Sequence, residues 1–206
     1  NAHLSWQKIS ARRQALLEKL RVNLLRLFKT MKINYVQGTA SFLSDHEAEI
    51  ITAEGRVTVQ FDSAILAAGT QPFFPKPFDA LRGRLLDNSS VFNLEKLPET
   101  AAIIGAGAIG AEFSCIFNGL GVKTHLVELK PGVLPGLDAG AGRAVAAAFK
   151  KKGINLHLGV SADSVTETNG KKLIKLSDGT EIAADEILVA VGRVAELGAL
   201  GLDKVG

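Results

Sequence analysis

Three glycines, Gly105, Gly107 and Gly110, stand in the G-x-G-x-x-G spacing directly after the apolar run Ala101–Ile104. Apolar residues at Ile109, Phe113, Ile116, Phe117 and Leu120 then recur at helical spacing. Gly121 offers a stop, and Val122–Val127 reads as a second strand ending in Glu128. A strand, a glycine turn, a helix, a strand and an acid in this order suit the binding of a dinucleotide. Gly105 permits the tight turn, Gly107 lets backbone approach a pyrophosphate, and Gly110 lets the helix pack closely on the sheet. The unpaired N–H groups and the dipole at the helix start favour phosphate. Glu128 falls at about the 20-residue offset at which an acid bonds the ribose hydroxyls. The expected cofactor contacts are therefore Gly105, Gly107, Ala108, Ile109, Gly110 and Glu128. A carboxylate at position 128 favours a free 2′-hydroxyl and repels a 2′-phosphate, so NAD is expected over NADP, with Lys130 the one feature opposed to this. The chain has 21 glycines to scatter, and the alternative is a glycine-rich αβ connection without a ligand.

The elements that would hold this unit come from a chain of 206 residues, 47% hydrophobic, long enough for one generous domain or two modest ones. Its net charge is +3, from 24 basic and 21 acidic residues spread along the sequence. The densest basic run, Lys150–Lys152, ends a helical stretch where cations suit the dipole, so no nucleic-acid partner is expected. A single cysteine excludes an intrachain disulfide and supplies no ligand cluster. Neither a metal site nor a catalytic residue is expected. One cysteine fits a reducing compartment, and no stretch has the length of a membrane span or a signal peptide, which together suggest a cytoplasmic protein.

Residues 5–28 read as a basic amphipathic helix capped by Ser5, its apolar face expected to pack on a sheet. Short strands follow at Ile33–Val36, Ala40–Leu43, Ala48–Thr52 and Val57–Phe61, as an antiparallel meander. Ala64–Ala68 suggests a central strand, and Gly69 a place of close backbone approach. Gln71–Pro77, with three prolines, reads as a linker or rigid surface excursion, and residues 79–99 as a mixed connection. A domain boundary is expected near Pro98. Beyond Glu128, Ala139–Lys151 reads as a helix with Val145, Ala148 and Phe149 inward, ended by Gly153. Ile154–Leu158 reads as a third parallel strand. Ala162–Thr168 and Lys171–Leu176 form a hairpin turned at Asn169–Gly170. Ile182–Val191 reads as one more buried strand, and the last thirteen residues show no closing element. The first helix lacks enough sheet to cover it, and the nucleotide unit lacks strands, so both ends look cut from something larger. Cys115 is expected to be a small buried residue, His46 a surface histidine, and His125 and His157 to belong to no constellation.

Four stretches make the sequence resemble the flavin-dependent pyridine nucleotide–disulfide oxidoreductases, and within them the dihydrolipoamide dehydrogenases. They are Ile65–Pro72 (ILAAGTQP), Ile103–Glu112 (IIGAGAIGAE), Val133–Asp138 (VLPGLD) and Ile187–Arg193 (ILVAVGR). The resemblance implies a Rossmann-like, three-layer β/β/α FAD/NAD(P)-binding α/β fold. Residues 1–98 would be a partial FAD-binding domain, and 99–206 an NAD-binding domain truncated at its C-terminal end. It implies FAD in the intact protein, with Ala68 and Gly69 near the flavin. Glu112 would lie near the nicotinamide end and orient a lysine of the flavin domain that is absent here. Gly192 and Arg193 would close the back of the dinucleotide pocket. The family's cysteine pair and its C-terminal His–Glu pair are not in this sequence, so the fragment itself is expected to be inactive. The parent would be a homodimer through a C-terminal domain, associated with 2-oxo acid dehydrogenase complexes. Relatives commonly carry Thr where Ala68 stands, and Pro–Asn where Ala195–Glu196 stands. Two other readings stay open: another branch (mercuric reductase, glutathione-type reductase or pyridine nucleotide transhydrogenase), or a stand-alone NAD-binding sensor or assembly module.

Overall fold

The computed structural model describes residues 5–205. It divides into two compact units, one of residues 5–8 with Pro72–Arg193, the other of Ile9–Gln71 with residues 194–205.

The larger unit has three layers. Its middle layer is a parallel sheet of β5 (Thr100–Ile104), β6 (Lys123–Glu128), β7 (Asn155–Leu158) and β11 (Glu186–Val189), in the order β11-β5-β6-β7. Helices α2 (Ala108–Gly119) and α3 (Ala139–Lys151) are the crossovers from β5 to β6 and from β6 to β7. One sheet face buries Ala101, Ile103, Leu126 and Leu188 against Phe113, Phe117 and Phe149 of the helices. The opposite face buries Ala102, Ile104, Val127, Ile187 and Val189 under an antiparallel sheet of β8 (Ala162–Thr168), β9 (Lys171–Leu176) and β10 (Glu181–Ala184). Strands buried on both faces must be apolar throughout, which is why Ala101–Ile104 shows no alternation. The β8–β9 hairpin turns at Asn169 and Gly170, both with positive φ, as a two-residue hairpin demands.

Several expectations change here. Ile182–Val191 is two strands, because the chain leaves the antiparallel layer at Ala184 and enters the parallel sheet at Glu186. Asp185 fixes the crossing: its carboxylate accepts the Thr100 amide at 2.9 Å and pairs with Lys171. Gln71–Pro77 is no surface excursion, since Phe74 and Phe78 bury into the second core. Val91 and Leu85 are also buried, and the main segment of the larger compact unit runs from Pro72 to Arg193. Ala148 is exposed, and Val145, Ala146 and Phe149 make the inward face of α3 instead.

The smaller unit holds the meander β1 (Thr39–Ser44), β2 (Glu47–Thr52) and β3 (Gly55–Gln60), antiparallel as expected. Ile33–Val36 is not a strand, and neither is Ala64–Ala68. A central strand needs a ladder on both edges, and no described strand pairs with residues 62–69; Ile65 is 95% exposed. Helix α1 (Trp6–Thr30) forms, with the Lys8 amide reaching Ser5 Oγ at 3.4 Å, but it buries only Trp6. The expected packing of its apolar face on a sheet is therefore absent among the described residues. Trp6 stacks on Phe92 at 6.4 Å and donates from Nε1 to the Leu94 carbonyl at 2.6 Å. The C-terminal residues do contribute elements: β12 (Arg193–Ala195) pairs with β4 (Thr70–Pro72), a 3-10 turn spans Leu202–Lys204, and the Phe42 amide donates to Leu200.

Candidate functional site

Because β6 and β11 flank β5 on opposite sides, the segments leaving β5 and leaving β11 part at the carboxyl ends of the strands. A crevice opens at such a switch point in α/β sheets. Here it is a cavity of about 640 Å³ lined by Gly105, Gly107, Ala108 and Ile109 after β5, Glu128 at the end of β6, and Val189–Arg193 from the end of β11. Phe73, Lys76 and Phe78 complete part of the wall.

The glycine turn is held in a way that explains its composition. Gly105 has φ +99°, and a Cβ there would stand 2.7 Å from the Ala190 carbonyl oxygen. A Cβ on Gly110 would collide with the Gly105 carbonyl oxygen. Gly110 is buried beneath the turn and sets the approach of α2 to β5. Around the Cβ position of Gly107 nothing lies within 4 Å, so the cavity reaches the backbone. Gly107 is the N-cap of α2 and supplies no side-chain cap. The first-turn N–H groups of α2, which lack partners inside a helix, are left for an anion.

Glu128 faces this turn. Its Oε2 accepts the Ala106 amide at 2.7 Å and its Oε1 the Lys130 amide at 2.8 Å. An uncapped helix N-terminus, an open cradle at Gly107 and an acid at the neighbouring strand end fit the phosphates and ribose of a dinucleotide. At the β11 side, Arg193 Nη1 donates to Asn88 Oδ1 at 2.8 Å, and both residues line the cavity. Sequence reasoning missed Asn88, Phe73 and Lys76, which come from the irregular 72–99 segment and carry no motif.

Other singled-out residues lie elsewhere. Glu112 is exposed on α2 and does not line the cavity. Ala68 and Gly69 belong to the smaller unit and are exposed. Cys115 is exposed, not buried, because it shares the outward stripe of α2 with Glu112, Ile116 and Gly119. His46 is on the surface, its Nδ1 3.1 Å from the Phe61 carbonyl oxygen. His125 and His157 do form a constellation: Nδ1 of the first lies 3.1 Å from Nε2 of the second. Ring centres 5.4 Å apart and planes within 16° put both nitrogens nearly on the line between the rings, the geometry of one shared N–H···N bond. Burial lowers the His125 pKa to about 4, helped by His157 and Lys123, and burial lowers His157 against the pull of Asp178. Among the described residues no group of three or more His, Cys, Asp or Glu is placed to hold a metal, and no helix is long and apolar enough to cross a membrane.

Comparison with known proteins agrees with this geometry. The dihydrolipoyl dehydrogenase of Halobacterium salinarum is 31% identical over 188 residues, 88% of this chain and 40% of its own length. The soluble pyridine nucleotide transhydrogenase of Marinobacter nauticus is 31% identical over 181 residues, 88% of this chain and 39% of its own. The chain thus spans about 40% of the length of these curated relatives. The crystal structure of LpdA from Mycobacterium tuberculosis superposes with a TM-score of 0.87 at 25% identity, covering 100% of this chain and 46% of that one. The flavoprotein disulfide reductase RclA of Escherichia coli, at 22% identity, shares the fold with a TM-score of 0.90, covering 99% of this chain and 46% of that one. The family model described as pyridine nucleotide-disulphide oxidoreductase matches residues 2–205, and the chain belongs to that family.

Proposed function

We propose that this chain is the NAD-binding part of a flavoprotein oxidoreductase that passes hydride between NAD(H) and FAD. In the whole protein the further substrate is dihydrolipoamide, oxidised through a cysteine pair that these 206 residues do not contain. The observation that supports the nucleotide reading most is the meeting of the uncapped α2 N-terminus with the Glu128 carboxylate at one cavity. Bound NAD(H) supplies the hydride-carrying chemistry, and the protein's contribution is to bind and orient it. The amides of Ala108, Ile109 and Gly110 take the pyrophosphate, Glu128 accepts from the ribose hydroxyls, and Gly192 and Arg193 wall the far side. Glu112 takes the orienting role that the family resemblance gives it, toward a lysine outside this chain. Ala68 and Gly69 are the proposed flavin contacts. Residues 1–98 and 99–206 are the proposed flavin and NAD portions of a cytoplasmic homodimer, associated with 2-oxo acid dehydrogenase complexes.

A second reading, transhydrogenation between pyridine nucleotides, is favoured by relatives of that name, including one from Vibrio cholerae 34% identical over 170 residues. Parallel titrations of the chain with NADH and NADPH, followed by calorimetry, test the nucleotide assignment. Saturable binding that prefers NADH by about tenfold, the worth of one charge-assisted hydrogen bond, is expected. Equal or tighter NADPH binding overturns the choice of NAD, and no binding by the folded chain overturns the site.

A further inference from the structure

Glu128 already has two hydrogen bonds before any nucleotide is considered. Oε2 holds the amide of Ala106, inside the glycine turn, and Oε1 holds the amide of Lys130, in the loop after β6. Ala106 has no exposed surface, and its carbonyl accepts the Leu134 amide at 2.8 Å. The centre of the turn is thus tied at both its donor and its acceptor. Bonds from N–H to a carboxylate are about twice as strong as neutral ones, so the Glu128 tie is the stronger kind. It also decides which amides a phosphate can use. Ala106 is committed to Glu128, and the Ala111 amide goes to the Gly107 carbonyl at 2.9 Å. The amides between them, at the first turn of α2, are the ones left facing the cavity.

We propose that Glu128 is a positioning residue for the phosphate turn, clamping Ala106 and Lys130 so that the first-turn amides of α2 are aimed before a ligand arrives. This rests on the dinucleotide reading above and adds a role that needs no ribose. A carboxylate has about four lone-pair sites, so the clamp leaves room for ribose hydroxyls on the same oxygens. Preorganising the turn lowers the ordering cost of binding, and so acts on affinity for any ligand that carries the two phosphates.

The clamp and the ribose contact separate with 2′,3′-dideoxyadenosine 5′-diphosphate, which keeps both phosphates and offers no ribose hydroxyl. Affinity for it and for ADP is measured by calorimetry in the wild-type chain, Glu128→Ala and Glu128→Gln. Amide exchange at Ala106 and Lys130 is followed in the same proteins without ligand. Removing a negative charge would by itself favour an anionic diphosphate, so weaker binding reports lost geometry. We expect Glu128→Ala to speed exchange at both amides by about tenfold or more and to weaken the dideoxy ligand about fivefold or more. Glu128→Gln, with a single carbonyl oxygen, keeps protection at only one of the two amides, and serves if the alanine variant fails to fold. Unchanged exchange at both amides overturns the clamp. Unchanged dideoxy affinity with weakened ADP overturns the positioning role, because the acid then works through ribose alone. Faster exchange in a chain whose wild type binds neither diphosphate means that the dinucleotide reading has failed, and the positioning role falls with it while the clamp remains a structural fact.

Discussion

A side chain added at Gly107 and one added at Gly110 would meet opposite surroundings. At Gly107 the backbone is in an ordinary extended conformation and the Cβ position is open, so Gly107→Val puts its methyl groups where a pyrophosphate would lie. The expected result is an unchanged thermal midpoint with NADH binding lost. At Gly110 the added methyl collides with the Gly105 carbonyl oxygen, and Gly110→Ala should destabilise the fold by about 3 kcal/mol in urea unfolding. The open backbone at Gly107 and the close packing at Gly110 were legible in the sequence because the turn motif fixes local backbone geometry. The histidine pair was not, since His125 and His157 meet only through the β6–β7 register, in which His157 sits opposite Val127 and His125 opposite Asn155. That pair carries a pH prediction. Both histidines bind protons more weakly folded than unfolded, where the reference value is about 6.5. Their contribution to stability is full above about pH 6.5 and is lost as pH falls toward 4, because the unfolded chain takes up the proton first. Lys123, repelling a cation at His125, and Asp178, attracting one at His157, are the charged groups acting on the pair. Urea unfolding at pH 7.5 and pH 5 should show a smaller loss in His125→Asn than in the wild type. Equal losses would put the pH dependence on other groups.

At the level of elements, periodicity located α1, α2, α3 and most strands, and failed where pairing rather than pattern decides. Ala64–Ala68 is as apolar as Ala101–Ile104, but only the second has neighbours on both sides, β6 and β11. The reading of Ile182–Val191 as one strand overlooked a local signal, Asp185–Glu186 between two apolar runs. The buried Lys172 answers that signal, donating to the Asp185 carbonyl at 2.9 Å and to Glu186 at 2.8 Å. Charged residues at that point let the chain change sheets without leaving a buried amide or ammonium unsatisfied. The start of α3 was read correctly but without its cause. Asp138 is the N-cap, its Oδ1 accepting the amides of Gly140 at 2.8 Å and Ala141 at 3.0 Å. Because α3 opens with Ala-Gly-Ala-Gly, poor in helix propensity for its first turn, the cap carries much of the nucleation. Asp138→Ala should cost about 1 kcal/mol in denaturant unfolding, whereas Asp138→Asn, which keeps an acceptor, should cost only a few tenths.

On the scale of the whole molecule, exposed apolar surface is unevenly shared between the two units. Leu16, Leu20, Leu24 and Leu27 of α1, with Met31, Tyr35 and Ile65, are each at least half exposed and all lie within Ile9–Gln71. In the larger unit the parallel sheet is covered on both faces, and Ile103, Leu126, Ile187 and Leu188 have no exposed surface. Hydrophobic burial is the main favourable term in folding, so local stability should follow this division. Limited trypsin digestion should therefore cut first at Arg26, Lys29 or Lys32, near the end of α1, and spare the sites between Lys123 and Lys175. The spared region contains Lys150, Lys151 and Lys152 in a short run, so resistance there would reflect protection by the fold rather than a shortage of targets. Adding NADH should slow cleavage at Arg193, which lines the nucleotide cavity, and leave the rate at Lys29 unchanged, because stabilisation by a ligand acts on the states that bind it. Early cleavage throughout both units would mean that the larger core is not independently stable. Equal slowing at Lys29 and Arg193 would mean that the two units unfold together as one cooperative body, and that the nucleotide site is coupled to residues outside its own cavity.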